Sequence, residues 1–143
     1  MRRLAVPALV LILAVVSAAG CSSAGSTRPA NVAQPDISTD LAGNVFFGSG
    51  RNAPVTLDVS IRNNATTAIT VRQIEITAPG MVTYTIRPVR RLVNEEIAAG
   101  DTKTISLFTM AYTSVRNPSE PLTLRTIVHL EANGARWREH VQQ

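Results

Sequence analysis

The chain has 143 residues, of which 45% are hydrophobic, 17% charged and 4% aromatic. That is enough for one folded domain with an aliphatic core. A net charge of +4 spread along the sequence does not resemble the basic patch or stripe of a nucleic-acid-binding protein, and a single cysteine excludes an internal disulfide.

Met1-Arg2-Arg3 is a short basic start, residues 4–16 are apolar, and Ser17-Ala18-Ala19-Gly20 is small-residue sequence. These are the three parts of a secretory signal peptide. The apolar run is shorter than the ~20 residues of a spanning helix, and no later run reaches that length. Ala18-Ala19-Gly20-Cys21 closes the run with the only cysteine. An ordinary secretory signal cut near Ala19 would leave that thiol free, which is unusual for an exported protein.

The four residues resemble the lipobox of bacterial lipoproteins, with Ala18 where that family more often has Leu. The resemblance implies a signal helix over residues 1–20, cleavage between Gly20 and Cys21, and lipid on the Cys21 thiol. It also implies an acylated (palmitate-type) amino terminus. Each buried CH₂ contributes about 0.8 kcal/mol, so two or three acyl chains anchor stably. The expected location is the cell envelope. With two membranes, Ser22 after the cysteine resembles sorting to the periplasmic side of the outer membrane. With one, the anchor sits on the outer face of the plasma membrane. Loss of residues 1–20, Arg2 and Arg3 among them, would leave 123 residues with a net charge of +2.

Residues 21–39 are rich in Ser, Ala, Gly, Thr and Pro. They are expected to form a disordered tether, with a fully extended reach of about 60 Å. Residues 40–143 are expected to form the folded domain. Gly48-Ser49-Gly50 lacks the third glycine and following helix of a dinucleotide loop and reads as a turn.

From residue 44 on, period-2 patterns dominate. Residues 45–47 are a candidate first strand. Val55, Leu57, Val59 and Ile61 share one face of the next, which ends in the turn residues Asn63-Asn64. Ile69 and Val71 have one parity and Ile74 and Ile76 the other, which predicts a β-bulge near Arg72-Gln73 or a strand crossing between sheets. Residues 81–87 form a strand that Pro88 ends or places at an edge. Residues 90–97 are a candidate edge strand, and Ala98-Ala99-Gly100-Asp101 is a turn. Residues 102–112 carry Ile105 and Leu107 on one face and Phe108 and Met110 on the other, which predicts a central or doubly covered strand. Residues 113–121 are a long loop. The strongest local signal is the alternation from Leu122 to Glu131, followed by Asn133-Gly134 and a second run to Val141. Asn-Gly predicts a two-residue type I′ hairpin. That register pairs Ala132 with Ala135, Glu131 with Arg136, Leu130 with Trp137 and His129 with Arg138.

Seven or eight strands with turns every 8–12 residues describe an all-β antiparallel sandwich. Two stretches, Val55–Ile61 ending in Asn63-Asn64 and Ile97-Ala98-Ala99-Gly100-Asp101 leading into Thr102–Leu107, carry a resemblance to immunoglobulin-like or fibronectin-like sandwiches of exported bacterial proteins. No activity transfers from so broad a fold.

No catalytic residue, metal site or cofactor is assigned. His129 and His140 fall diagonally on the outer face of the hairpin, near Glu131, with Arg138 between them. Adjacent Glu95 and Glu96 point to opposite faces. No Gly-x-Ser-x-Gly elbow, zinc spacing or phosphate loop occurs. Arg87, Arg90 and Arg91 are the one local basic cluster. They read as a solvated edge or a candidate contact to anionic headgroups or cell-wall polymer. The expected function is a non-catalytic, lipid-anchored interaction or structural module with an envelope protein or polymer as partner. The alternative is a small-molecule or polysaccharide binder, for which Phe46 and Phe47 are candidate exposed aromatics.

Overall fold

Alternating apolar residues build two sheets, each with one face turned to a shared aliphatic core. The computed structural model describes residues 27–43, 45, 47, 51–79, 84–114 and 122–143. Among them are eight strands and no helix. The strands are β1 (Asp36–Leu41), β2 (Asn52–Arg62), β3 (Ile69–Thr77) and β4 (Tyr84–Ile86), then β5 (Val89–Ile97), β6 (Thr102–Thr113), β7 (Arg125–Ala132) and β8 (Ala135–Gln142). One antiparallel sheet has the order β1-β2-β6-β4 and the other β5-β3-β7-β8. Their inner faces form one core cluster, in which Leu57, Val59 and Ile61 meet Val71, Ile74 and Val128 with no solvent exposure. A buried hydroxyl pair, Thr39 Oγ1 and Thr126 Oγ1 at 2.8 Å, joins β1 to β7 across the sheets.

The β7–β8 hairpin has the register that Asn133-Gly134 predicts, from Ala132 with Ala135 to His129 with Arg138. Asn133 and Gly134 both adopt positive φ, 51° and 79°, as a type I′ turn requires. Leu130 and Trp137 are each 1% exposed. Trp137 contributes the largest buried side chain, and its indole N–H donates to Glu139 Oε1 at 3.1 Å.

The bulge also lies where the sequence places it. Pairing of β3 with both β5 and β7 shifts between Val71 and Gln73. The extra residue lets Ile69, Val71, Ile74 and Ile76 all face the core at 1% exposure or less.

Two expectations are corrected. The first strand is Asp36–Leu41, and Val45 and Phe47 lie outside any strand, packed against the core. The disordered tether cannot extend to residue 39. Ile37, Thr39 and Leu41 form the inner side of β1, Val32 is 3% exposed in the core, and Arg28 Nη1 lies 3.3 Å from Glu139 Oε1. The folded body therefore begins near residue 28, because Val32 is buried in the core and an ion pair holds Arg28 to β8. Of the two readings of residues 102–112, the central one holds: β6 lies inside its sheet, and Phe108 on its outer face is 77% exposed. Of the 81–87 strand, Tyr84–Ile86 is β4, and residues 81–83 lie outside the described residues.

Asn63 ties the two sheets together at one end. It is 1% exposed. Its Nδ2 donates to the carbonyls of Thr67, Ile97 and Ala98 at 2.8, 3.0 and 3.1 Å, and its Oδ1 accepts from the Ala65 N–H at 2.9 Å. Its backbone N–H donates to Asp101 O and its carbonyl accepts from the Gly100 N–H, both at 2.9 Å. One side chain thus joins the β2–β3 turn to the β5–β6 turn. Truncation would leave buried carbonyls without donors, at about 1–3 kcal/mol for each group left unpaired. Asn63→Ala is expected to lower unfolding free energy by about 2–4 kcal/mol in urea titration. Asn64→Ala loses one exposed bond to Gln34 O and should cost under about 1 kcal/mol. Equal losses from the two variants would contradict this assignment.

Candidate functional site: a basic groove at the bulge

The strand pairing fixes which side chains share the outer face of the β5-β3-β7-β8 sheet. One row reads Glu96, Thr70, Glu131, Arg136; the next Leu92, Gln73, His129, Arg138; a third Arg90, Glu75, Ile127, His140. The bulge adds Arg72 between the first two rows. On β5, Asn94 takes a positive φ of 55° at the same level, and the strand locally bends. An open groove of about 630 Å³ results, lined by Arg72, Gln73, Asn94, His129, Arg136 and Arg138, with Leu92 as an apolar lip that is 72% exposed.

Glu131 organises the groove's cations. Arg72 reaches it with two parallel bonds, Nε to Oε2 and Nη2 to Oε1, both 3.0 Å. Arg136 Nε donates to Oε2 at 2.7 Å. These bonds, Arg72 first and Arg136 second, hold the Glu131 pKa down at about 2. The Arg72 guanidinium also donates to Asn94 Oδ1 at 3.2 Å. A second acidic centre, Glu75, accepts from Gln73 and from His129 Nε2, the latter at 2.9 Å, with Arg90 Nε at 3.6 Å.

The two outer faces differ in charge. On the groove side, strand residues Arg72, Arg90, Arg125, Arg136 and Arg138 stand against Glu75, Glu96 and Glu131. On the opposite face, Asp36, Asp40 and Asp58 stand against Arg62. Among the described residues Arg125 and Arg138 have no carboxylate within 4.0 Å. Chemically, the groove face offers guanidinium and imidazole donors to an anion. No group of three His, Cys, Asp or Glu able to hold a metal ion occurs among the described residues.

The sequence-derived candidates fall in different places. Gly20 and Cys21 lie outside the described residues. Of Arg87, Arg90 and Arg91, the first two line one shallow pocket with Pro88, Phe108 and Met110. Arg90 belongs to the groove face, 73% of its side chain exposed. Arg91 turns the other way and donates to Ser106 O at 3.0 Å. Arg87 sits in the crossover between sheets, its N–H donating to Met110 O at 2.8 Å. Glu95 and Glu96 do diverge: Glu95 bonds Lys103 on β6, and Glu96 lies opposite Thr70. His129 and His140 share the outer face, and His129 turns to Glu75 rather than Glu131. Arg72 as a groove residue was not anticipated. The change of parity at Arg72-Gln73 is its signal, because a bulge puts two consecutive polar residues on one face.

Neither a protein-family model nor a curated protein sequence matches the chain. Solved structures do. A structural-genomics target is 12% identical with a TM-score of 0.50, covering 76% of this chain and 83% of that one. A protein from Archaeoglobus fulgidus is 5% identical with a TM-score of 0.44, covering 78% and 92%. A Bordetella pertussis protein is 16% identical with a TM-score of 0.48, covering 77% and 89%. At these identities the likeness is one of fold alone.

The Glu131 cluster has a pH signature. Its folded pKa lies below the ordinary value of 4.5, so its ion pairs favour the folded state above that pH. The contribution fades as pH falls from there through about 2. The stability difference between wild type and Glu131→Gln should be constant from pH 7 to about 5 and shrink steadily toward pH 2. A difference that stays level across that range would contradict the pairing.

Proposed function

We propose that this chain is a lipid-anchored protein of the bacterial cell envelope, with an immunoglobulin-like sandwich serving as a non-catalytic interaction module. The observation that carries the proposal is Ala18-Ala19-Gly20-Cys21 at the end of a basic–apolar–small leader, with no other cysteine in the chain. A thiol is the nucleophile that lipid attachment needs, and small residues admit a peptidase to the backbone. The strand order supports the immunoglobulin-like reading: β1-β2-β6 pack against β5-β3-β7-β8, with short β4 completing the first sheet. A non-catalytic role is supported by the way the ionisable groups are used. Glu131 is ion-paired within its sheet, Glu95 pairs with Lys103 across the two sheets, and His129 is hydrogen-bonded to Glu75.

A second reading, a polysaccharide-binding surface, is favoured by one observation. Phe108 and Tyr112, 77% and 39% exposed, share the outer face of β6 with Met110, and flat exposed aromatics are what sugar rings stack on. Phe47, by contrast, packs against the core.

The anchor is tested by expressing Cys21→Ser beside the wild type in a bacterial host. Wild type should incorporate labelled palmitate and sediment with membranes. The variant should incorporate none, and should appear in the soluble fraction or as unprocessed precursor. A variant processed and membrane-bound like the wild type would overturn the proposal.

A further inference from the structure

We infer that the outer face of the β5-β3-β7-β8 sheet lies on the anionic phospholipid headgroups of the membrane that holds the anchor. The inference rests on lipid attachment at Cys21, as proposed above, and adds an orientation to it. Its first support is distance. The ion pair from Arg28 to Glu139 fixes the start of the folded body on β8, the edge strand of this sheet. Six residues lie between Cys21 and Arg28, so whatever their conformation the two ends are at most about 25 Å apart. That is less than half the reach of a tether running to residue 39. Arg28 therefore stays within about three Debye lengths of the anchored cysteine at physiological salt, and the β8 edge it pairs with is the part held nearest.

The second support is charge. The groove face carries five strand arginines against three glutamates, while the opposite face carries three aspartates against one arginine. An anionic surface attracts the first and repels the second. Arg138 and Arg125, on β8 and its neighbour β7, have no carboxylate partner among the described residues. Each such residue near an anionic leaflet contributes about 1 kcal/mol. Contacts this weak do little for a protein free in solution, where the cost of association dominates. Tethered by Cys21, the domain has already lost most of that freedom, so the same contacts select its orientation. Leu92, exposed on this face, adds an apolar group at headgroup level.

The test couples residues 21–143, which retain every described residue, through the single Cys21 thiol to a maleimide lipid in vesicles. Synthetic coupling makes it independent of natural lipidation. Arginine modification by phenylglyoxal is then followed by mass spectrometry on phosphatidylcholine vesicles with and without 30% phosphatidylglycerol. Arg125 and Arg138 should react at least threefold more slowly on the anionic vesicles, and Arg62, on the opposite face, at an unchanged rate. The difference should disappear in 1 M salt. Arg125→Glu/Arg138→Glu should abolish the slowing at Arg90 on the same face. Uniform rates on both vesicle types, or protection of Arg62 instead, would overturn the inference and leave the anchor standing. Absence of palmitate labelling in cells would remove the anchor while these rates still report what the face binds.

Discussion

The structure depends most on the buried amide of Asn63. A sandwich has no covalent bond between its sheets here, and the single cysteine forms none within the described fold. Aliphatic packing drives the faces together but is non-directional. It does not by itself decide how two turns at one end of the sandwich meet. Asn63 does, by donating to three carbonyls from two different turns while its backbone bonds Gly100 and Asp101. A residue of this size with both donor and acceptor atoms is required there. Aspartate would set a charge against three carbonyl oxygens, and leucine would leave them unpaired. Within the core the Thr39–Thr126 hydroxyl pair, which also joins the two sheets, plays a smaller version of the same role.

Where side-chain chemistry is local, the fold was legible in the sequence. The Asn133-Gly134 hairpin register follows from a turn type that demands two positive φ values, and only one register then buries both Leu130 and Trp137. The bulge was legible because β-strand parity cannot change without an extra residue. β1 was not legible. Its inner residues are Ile37, Thr39 and Leu41, so the middle of its apolar side is a threonine. Only a partner 87 residues away, Thr126, makes that threonine acceptable inside. The same holds for Val32, a lone apolar residue in a Ser/Ala/Pro-rich stretch that is nonetheless buried in the core cluster. Nonlocal satisfaction leaves no local pattern.

The candidate site was half legible for the same reason. Arg136 opposite Glu131 follows from the hairpin. Arg72 joining them from β3 depends on how the bulged strand pairs with β7, a contact across 59 residues of chain. The arginines at 87, 90 and 91 look like one cluster in sequence, yet after the chain crosses between sheets at Pro88 only Arg87 and Arg90 line a common pocket, while Arg91 turns to Ser106 O. What unites the basic residues is the pleat of the β5-β3-β7-β8 sheet. With the body beginning at Arg28, the proposed anchor and the basic face belong to one geometry: a short connection, an edge strand, and a charged surface beside it.

The most direct measurement is the intact mass of the protein extracted from the membranes of a bacterial host. We predict a chain that begins at Cys21 and carries the added mass of a diacylglycerol, with or without a third acyl group. A chain that begins elsewhere, or that keeps an unmodified Cys21 thiol, would contradict the lipid-anchored reading.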